Sequence, residues 1–319
     1  MITLTKVREL NLSAAASVGR PLHLSAASGL VCLNSFIYVV ADDELHLGVF
    51  RSTNNNPGHL IGLFAGELPD SEPDRKKQKP DLEALTLLPA FGSYPHGALL
   101  ALGSGSKKKR RMGALAGLDA QGAISGTPRS IDLSDLLVPL DQHFAALNIE
   151  GAIVSGDELR LLQRGNKRHT QNAVIRFPLA AVLDALATDA RFGSIAPSAI
   201  DSFDLGNIDG IPFCFTDGAA LPNGGMVFTA IAEDTDDPYI DGPCAGAAIG
   251  IADRDGNLLR LDRLDQPLKI EGVDAKVEGD IIRLLVVTDA DDASIPACLF
   301  SASVAMADKV QAGDSHPAG

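Results

Sequence analysis

Four acidic residues occupy matching places in otherwise divergent stretches of this chain. Glu83, Glu150, Asp217 and Glu271 are each followed by a small residue and then by a short apolar segment. Two carboxylates about 6 Å apart repel by about 3 kcal/mol at an effective dielectric of 20, so four of them gathered in one place require protons, basic partners or a cation. Calcium takes six to eight oxygen ligands and suits such a set better than zinc, which prefers His and Cys. The four residues are therefore candidate ligands of a calcium-type ion. The plainer alternative is that they bond backbone amides of neighbouring units.

A second set closes the segment that follows each acid. It comprises Asp42 with Asp43, Ser104, Arg164, Glu233 with Asp234, and Asp289. Of these, Asp42, Ser104, Arg164, Glu233 and Asp289, with Lys167 nearby, are candidate contacts for a small anionic or polar ligand. Arg164 could hold a phosphate or carboxylate through its bidentate fork. His169 ends the basic loop that Arg164 begins and is the candidate for proton transfer near neutral pH. The alternatives are a solvated rim and a surface histidine.

Five similar units must position these residues. Aligned on Ser28, Glu83, Glu150, Asp217 and Glu271, the chain repeats at intervals of 55, 67, 67 and 54 residues. A four-stranded propeller blade needs about 40 to 50 residues, so each interval holds one blade and an insertion. After the first two apolar segments of each unit come third strands near residues 46–50, 112–118, 172–177, 247–251 and 297–301. Fourth strands are expected near 60–64, 129–133, 202–205 and 258–261. The last unit has no fourth strand, and residues 2–10 alternate apolar with polar, the period of a half-buried strand. That segment can close the ring as the missing outer strand. The expected fold is an all-β, five-bladed β-propeller, with six blades if an insertion hides one, forming a single domain over residues 1–305. Residues 178–186 read as an inserted helix, 65–80 and 104–111 as polar loops, and 306–319 as a disordered tail. In a propeller the first strand of each blade lines the central channel, which would bring the four acids to one mouth.

Composition narrows the partners. In 319 residues, 41 Asp and Glu against 27 Lys and Arg give a formal net charge of −14, which repels nucleic acid and anionic membranes at long range. The run Lys107–Arg111 is read as a solvated loop. Residues 1–20 lack a basic start leading into an apolar run, and no window nears the roughly 18 apolar residues of a membrane span, so a cytoplasmic protein is expected. Cys32, Cys214, Cys244 and Cys298 lie far apart without metal-ligand spacing and read as plain buried thiols. Sequence alone leaves the oligomeric state open.

The unit openings Asp81-Leu82-Glu83-Ala84, Asn148-Ile149-Glu150-Gly151 and Lys269-Ile270-Glu271-Gly272, each leading into a hydrophobic strand, resemble those of the phytase-like, or esterase-like, calcium-type propellers. They are also similar to gluconolactonases and strictosidine-synthase-like proteins. The resemblance implies acidic residues in the central channel, often around calcium, and in some members hydrolysis of a phosphate ester or lactone. This chain departs from that pattern in having five units rather than six and in carrying Ser28 and Asp217 in place of Glu. The expected function is hydrolase-like action, assisted by a metal, on a polar phosphate or carboxyl ester or lactone at the channel mouth. The alternative is a non-catalytic scaffold that binds a ligand or a protein.

Overall fold

The computed structural model describes residues 1–188, 192, 195–235 and 242–306. They form five antiparallel sheets in a ring, a five-bladed β-propeller. The inner strands are Ala27–Leu33, Leu82–Leu88, Ile149–Ser155, Ile211–Ala220 and Ile270–Glu278. Each packs against the next, and the fifth returns to the first. Blades I to IV run outward in chain order and end on His59–Gly62, Arg129–Asp132, Ala199–Phe203 and Leu258–Arg263. Blade IV carries an extra two-residue strand, Asn207–Ile208, against its inner strand. Blade V is built from both ends of the chain, because Thr5–Glu9 pairs with Cys298–Ala305 as its outer strand.

The period-2 alternation of the strands explains how one chain builds five cores. Successive side chains leave opposite faces of a sheet, so each blade feeds the interfaces on both sides. In Ala98–Gly103, Leu99 and Ala101 join the cluster shared with blade I, whereas Leu100 and Leu102 join the one shared with blade III. Five such apolar clusters fill the five blade interfaces. The helix Leu179–Ala187 and the helical turns Ser134–Leu137 and Val138–Gln142 cap the interface between blades II and III with Leu136, Leu137, Leu140, Val182 and Leu186.

Near the axis every inner strand bulges once. Pairing with the second strand skips Ser28, Glu83, Glu150 and Thr216 in blades I to IV, and skips Glu271 with Gly272 in blade V. A bulge re-aims the extra residue out of the ladder. The residue just after it lies where neighbouring inner strands nearly touch. A Cβ added to Gly29 would stand 2.7 Å from the Leu85 nitrogen, and one added to Gly272 would stand 2.8 Å from both the Ser28 oxygen and the Leu30 nitrogen.

Two segments differ from their sequence expectation. Residues 65–80, expected as a polar loop, contain the helix Glu72–Gln78, with Arg75 and Lys79 buried. The reason is acidic company: Arg75 pairs with Asp43, and its NH1 donates to the Pro69 and Asp70 carbonyls. The run Lys107–Arg111 is likewise not simply solvated. It turns through a 3₁₀ segment, Lys108–Arg110, that drives Arg110 into the interior. Residues 307–319 of the expected tail lie outside the described residues. No described helix is long and apolar enough to cross a membrane.

Gly29→Ala is expected to lower stability by about 1–3 kcal/mol through overpacking at the axis. A urea titration checks this, and a midpoint unchanged from the parent's would mean that the inner strands have room to spare.

Candidate functional site

The bulges and the ends of the second strands converge on one mouth of the channel, where a cavity of about 100 Å³ is lined almost wholly by charged and polar groups. Four of the five bulge residues reach it: Ser28, Glu83, Glu150 and Glu271. Asp42, Arg164 and Asp289, each immediately following a second strand, also line it, as does Glu233 at the end of Met226–Glu233. Of the residues singled out from sequence, the mouth thus gathers Asp42, Glu83, Glu150, Arg164, Glu233, Glu271 and Asp289.

The remaining four stand elsewhere. Asp217 falls one position after the bulge, in the place that Gly29, Gly151 and Gly272 hold in other blades, and Thr216 is the bulge residue. Its buried carboxylate lies between blades, where Oδ2 accepts the Val273 backbone N–H at 3.0 Å. Thr216 instead donates to the Ile270 carbonyl at 2.9 Å. Ser104 is fully buried behind the cavity and donates to Asp81 Oδ2 at 2.6 Å. Lys167 lies out on the rim, paired with Asp234 at 2.8 Å. His169 is half-buried in the turn held by Asn166, away from the cavity lining.

The mouth also contains residues that the sequence reading passed over. Two places before the bulge, Asp81, Asn148, Cys214 and Lys269 all line the cavity. That shared register was visible in the repeat, since each sits two residues before the aligned residue of its unit, or one residue further in blade IV. Lys79 and Arg110 carried no such signal, because both lie on insertions.

Ion pairs gather the charges around three sets of cations, with Glu233 shared between Arg164 and Lys269. Lys79 Nζ lies between Asp42 and Asp81, 3.0 Å from Asp81 Oδ1, and Arg110 reaches the other Asp81 oxygen at 2.7 Å. Arg164 bridges blades III and IV, with NH1 3.0 Å from Glu150 and NH2 2.6 Å from Glu233. Lys269 lies 2.5 Å from Asp291 and within 4.0 Å of Glu233 and Asp289. Glu83 and Glu271 differ from the other acids: among the described residues neither carboxylate has an ion pair or a hydrogen-bond donor, although Glu271 is almost fully buried. The Glu271 backbone is held fixed, its carbonyl accepting from Thr229 at 2.8 Å.

The protonation of the mouth follows from this shortage of partners. Burial, reinforced by Glu150, Asp81 and Asp42, pushes the Glu83 carboxyl well above the usual range. Burial does the same to Glu271 despite Arg164 and Lys269, and lifts Asp289 to about 7 against the pull of Lys269. Burial also opposes the charge on Arg164, but Glu150, Glu233 and Glu271 outweigh it and keep the guanidinium firmly protonated. The mouth therefore carries more carboxylate than its fixed cations offset. Asp42, Asp81 and Glu83 place one oxygen each within 4.8 Å of one another. This oxygen-only set of three is of the kind a hard divalent cation takes, provided the Lys79 ammonium leaves Asp42 and Asp81.

A carboxyl whose folded-state pKa lies above its unfolded value binds its proton more tightly when folded. The stability it contributes is complete at low pH and is lost as the pH rises through the folded value. For Asp289 that window runs from 3.8 to about 7. Glu271→Gln, which cannot ionise, is expected to be more stable than the parent at pH 8 in chelator, with the gap closing as the pH falls. Urea unfolding at pH 8 and at lower pH checks this; a pH-independent difference would mean that Glu271 is already compensated.

Among the solved structures that this chain matches at low identity are the following three, each with a TM-score below 0.5. A luciferin-regenerating enzyme matches at 10% identity and a TM-score of 0.48, covering 95% of each chain. A streptogramin B lyase matches at 11% and 0.40, covering 95% of this chain and 98% of its own. The periplasmic gluconolactonase of Pseudomonas aeruginosa matches at 10% and 0.37, covering 89% and 69%. No curated protein matches the sequence. Residues 23–304 match the model of a family described as one of unknown function, DUF6929.

Proposed function

The chain belongs to the DUF6929 family of unknown function, and we propose that its charged propeller mouth binds a hard divalent cation of the calcium class and through it a small polar ligand. The observation that carries this reading is the buried, unpartnered Glu271 carboxylate facing a cavity that already holds the Asp42, Asp81 and Glu83 cluster. Asp42, Asp81 and Glu83 would hold the ion, in the cavity that Glu271 also lines. Glu150, taken by Arg164 and Asn148, and Asp217, between the blades, would not. When bound, such an ion supplies Lewis-acid polarisation of an ester or phosphoryl oxygen, the chemistry of a phosphate-ester, carboxyl-ester or lactone hydrolase.

The fixed cations have other work. The Arg164 fork is engaged by two carboxylates and Lys167 stands outside the cavity, so neither offers an open anion site. An anionic ligand would be drawn by the ion instead. Proton transfer would fall to carboxyl groups of the mouth rather than to His169, which stands away from the cavity, and Asp289, lifted by burial to about 7, is one such group.

One observation favours a second reading. Arg164 joins Glu150 of blade III to Glu233 of blade IV, as a structural tie between blades would. In that reading the mouth is a binding scaffold without turnover.

Saturating Ca²⁺ added to chelator-treated protein is expected to raise its melting temperature, by the equivalent of about 2.7 kcal/mol at a hundred times Kd. Glu83→Gln/Glu271→Gln should show no such rise. Cation binding together with hydrolysis of a phosphate-ester or lactone panel, abolished in Glu83→Gln, would support the enzyme; cation binding without turnover would leave the scaffold. A parent protein indifferent to cations removes the proposal.

A further inference from the structure

Lys79 contacts two of the three acids of the oxygen cluster. It follows the helix Glu72–Gln78, its backbone N–H closing that helix on the Arg75 carbonyl at 2.8 Å, and its buried side chain lines the mouth. Its ammonium contacts Asp42 and Asp81, two of the three residues whose oxygens lie within 4.8 Å of one another, and the charge of the third, Glu83, also acts on it. The segment that delivers it is an insertion between blades I and II, not part of the propeller ladder. Arg75 fixes the same segment to Asp43, outside the cavity lining.

We infer that Lys79 is a tethered stand-in for the ligand cation, filling the Asp42, Asp81 and Glu83 cluster until a divalent ion displaces it, and so sets what the mouth accepts. This rests on the cation-binding reading above. An ammonium is a compact point charge with three donors, so it can neutralise carboxylates that would otherwise repel one another. A free monovalent ion or a simple amine offers the cluster no more charge than Lys79 already does, without the advantage of a tether. A divalent ion doubles the charge at the oxygens. Selection for divalent over monovalent cations thus follows from competition within the chain as well as from the ligand set. Displacement must also free the end of the insertion, because Lys79 is its anchor inside the mouth.

If Lys79 fills the cluster in about nine molecules of ten, it weakens apparent cation affinity about tenfold. Calorimetric titration of the full chain with Ca²⁺, and separately with Mg²⁺, should show Lys79→Gln binding at least about tenfold more tightly than the parent, and Lys79→Arg staying close to the parent. Trypsin should cut the parent within residues 75–79 faster in saturating Ca²⁺ than in chelator. Equal affinities for parent and Lys79→Gln overturn this inference while leaving the cation site standing. Absence of binding in both proteins overturns the cation site and the inference with it. Should Lys79→Gln fail to fold, the parent decides: unchanged cleavage in Ca²⁺ that demonstrably binds overturns the displacement.

Discussion

The close approach of five inner strands around one axis is the constraint from which the rest of this structure follows. Backbone atoms there come near enough that Gly29, Gly151 and Gly272 cannot carry a Cβ without a neighbour moving. A ladder that tight cannot also accommodate long side chains, and the bulge just before each contact turns Ser28, Glu83, Glu150 and Glu271 out of it towards the mouth. The packing of the axis and the composition of the mouth are thus consequences of the same irregularity, repeated five times. Blade IV varies it: Asp217 takes the small-residue place and uses its carboxylate to receive the Val273 amide.

The electrostatics of the mouth depend on burial. Charges taken out of water must be paired, and breaking a buried pair costs more than making it gains. Most of the acids here satisfy that requirement across blade boundaries: Arg164 joins III to IV, and Lys79 links the inserted helix to blades I and II. Glu83 and Glu271 do not, and a carboxyl in that position stays neutral by keeping its proton or stays charged by meeting a cation. The mouth is therefore polarised before any ligand arrives, while the opposite end of the channel is lined chiefly by Leu, Val and Ala from the same five strands.

The sequence made the architecture legible because it repeats. The spacing of Ser28, Glu83, Glu150 and Glu271, the third strand of every unit and the N-terminal closing strand were all readable from alternation and turn residues. The placement of Asp217 was not, because Thr216-Asp217-Gly218 reads as another acid-small pair, and which residue leaves the ladder is decided by pairing with Met226–Glu233 rather than by local sequence. Lys79 and Arg110 were hidden for a different reason. Basic runs such as Arg75-Lys76-Lys77 and Lys107–Arg111 ordinarily mean solvent, and only Asp43 for Arg75, Asp42 and Asp81 for Lys79, and Asp81 for Arg110 give these side chains a reason to turn inward. Polar identity was visible, but the partner that decides burial was not.

The pairing of Thr5–Glu9 with Cys298–Ala305 has a consequence for the birth of the molecule. A ribosome releases residues 5–9 nearly three hundred positions before their partner strand. Until Cys298–Ala305 emerges this short, charged segment has no strand to pair with, and the last blade has an open edge. Ring closure then joins two strands nearly three hundred residues apart. Its entropic penalty grows only slowly with the length enclosed, but any extension fused to either end must leave that meeting unobstructed.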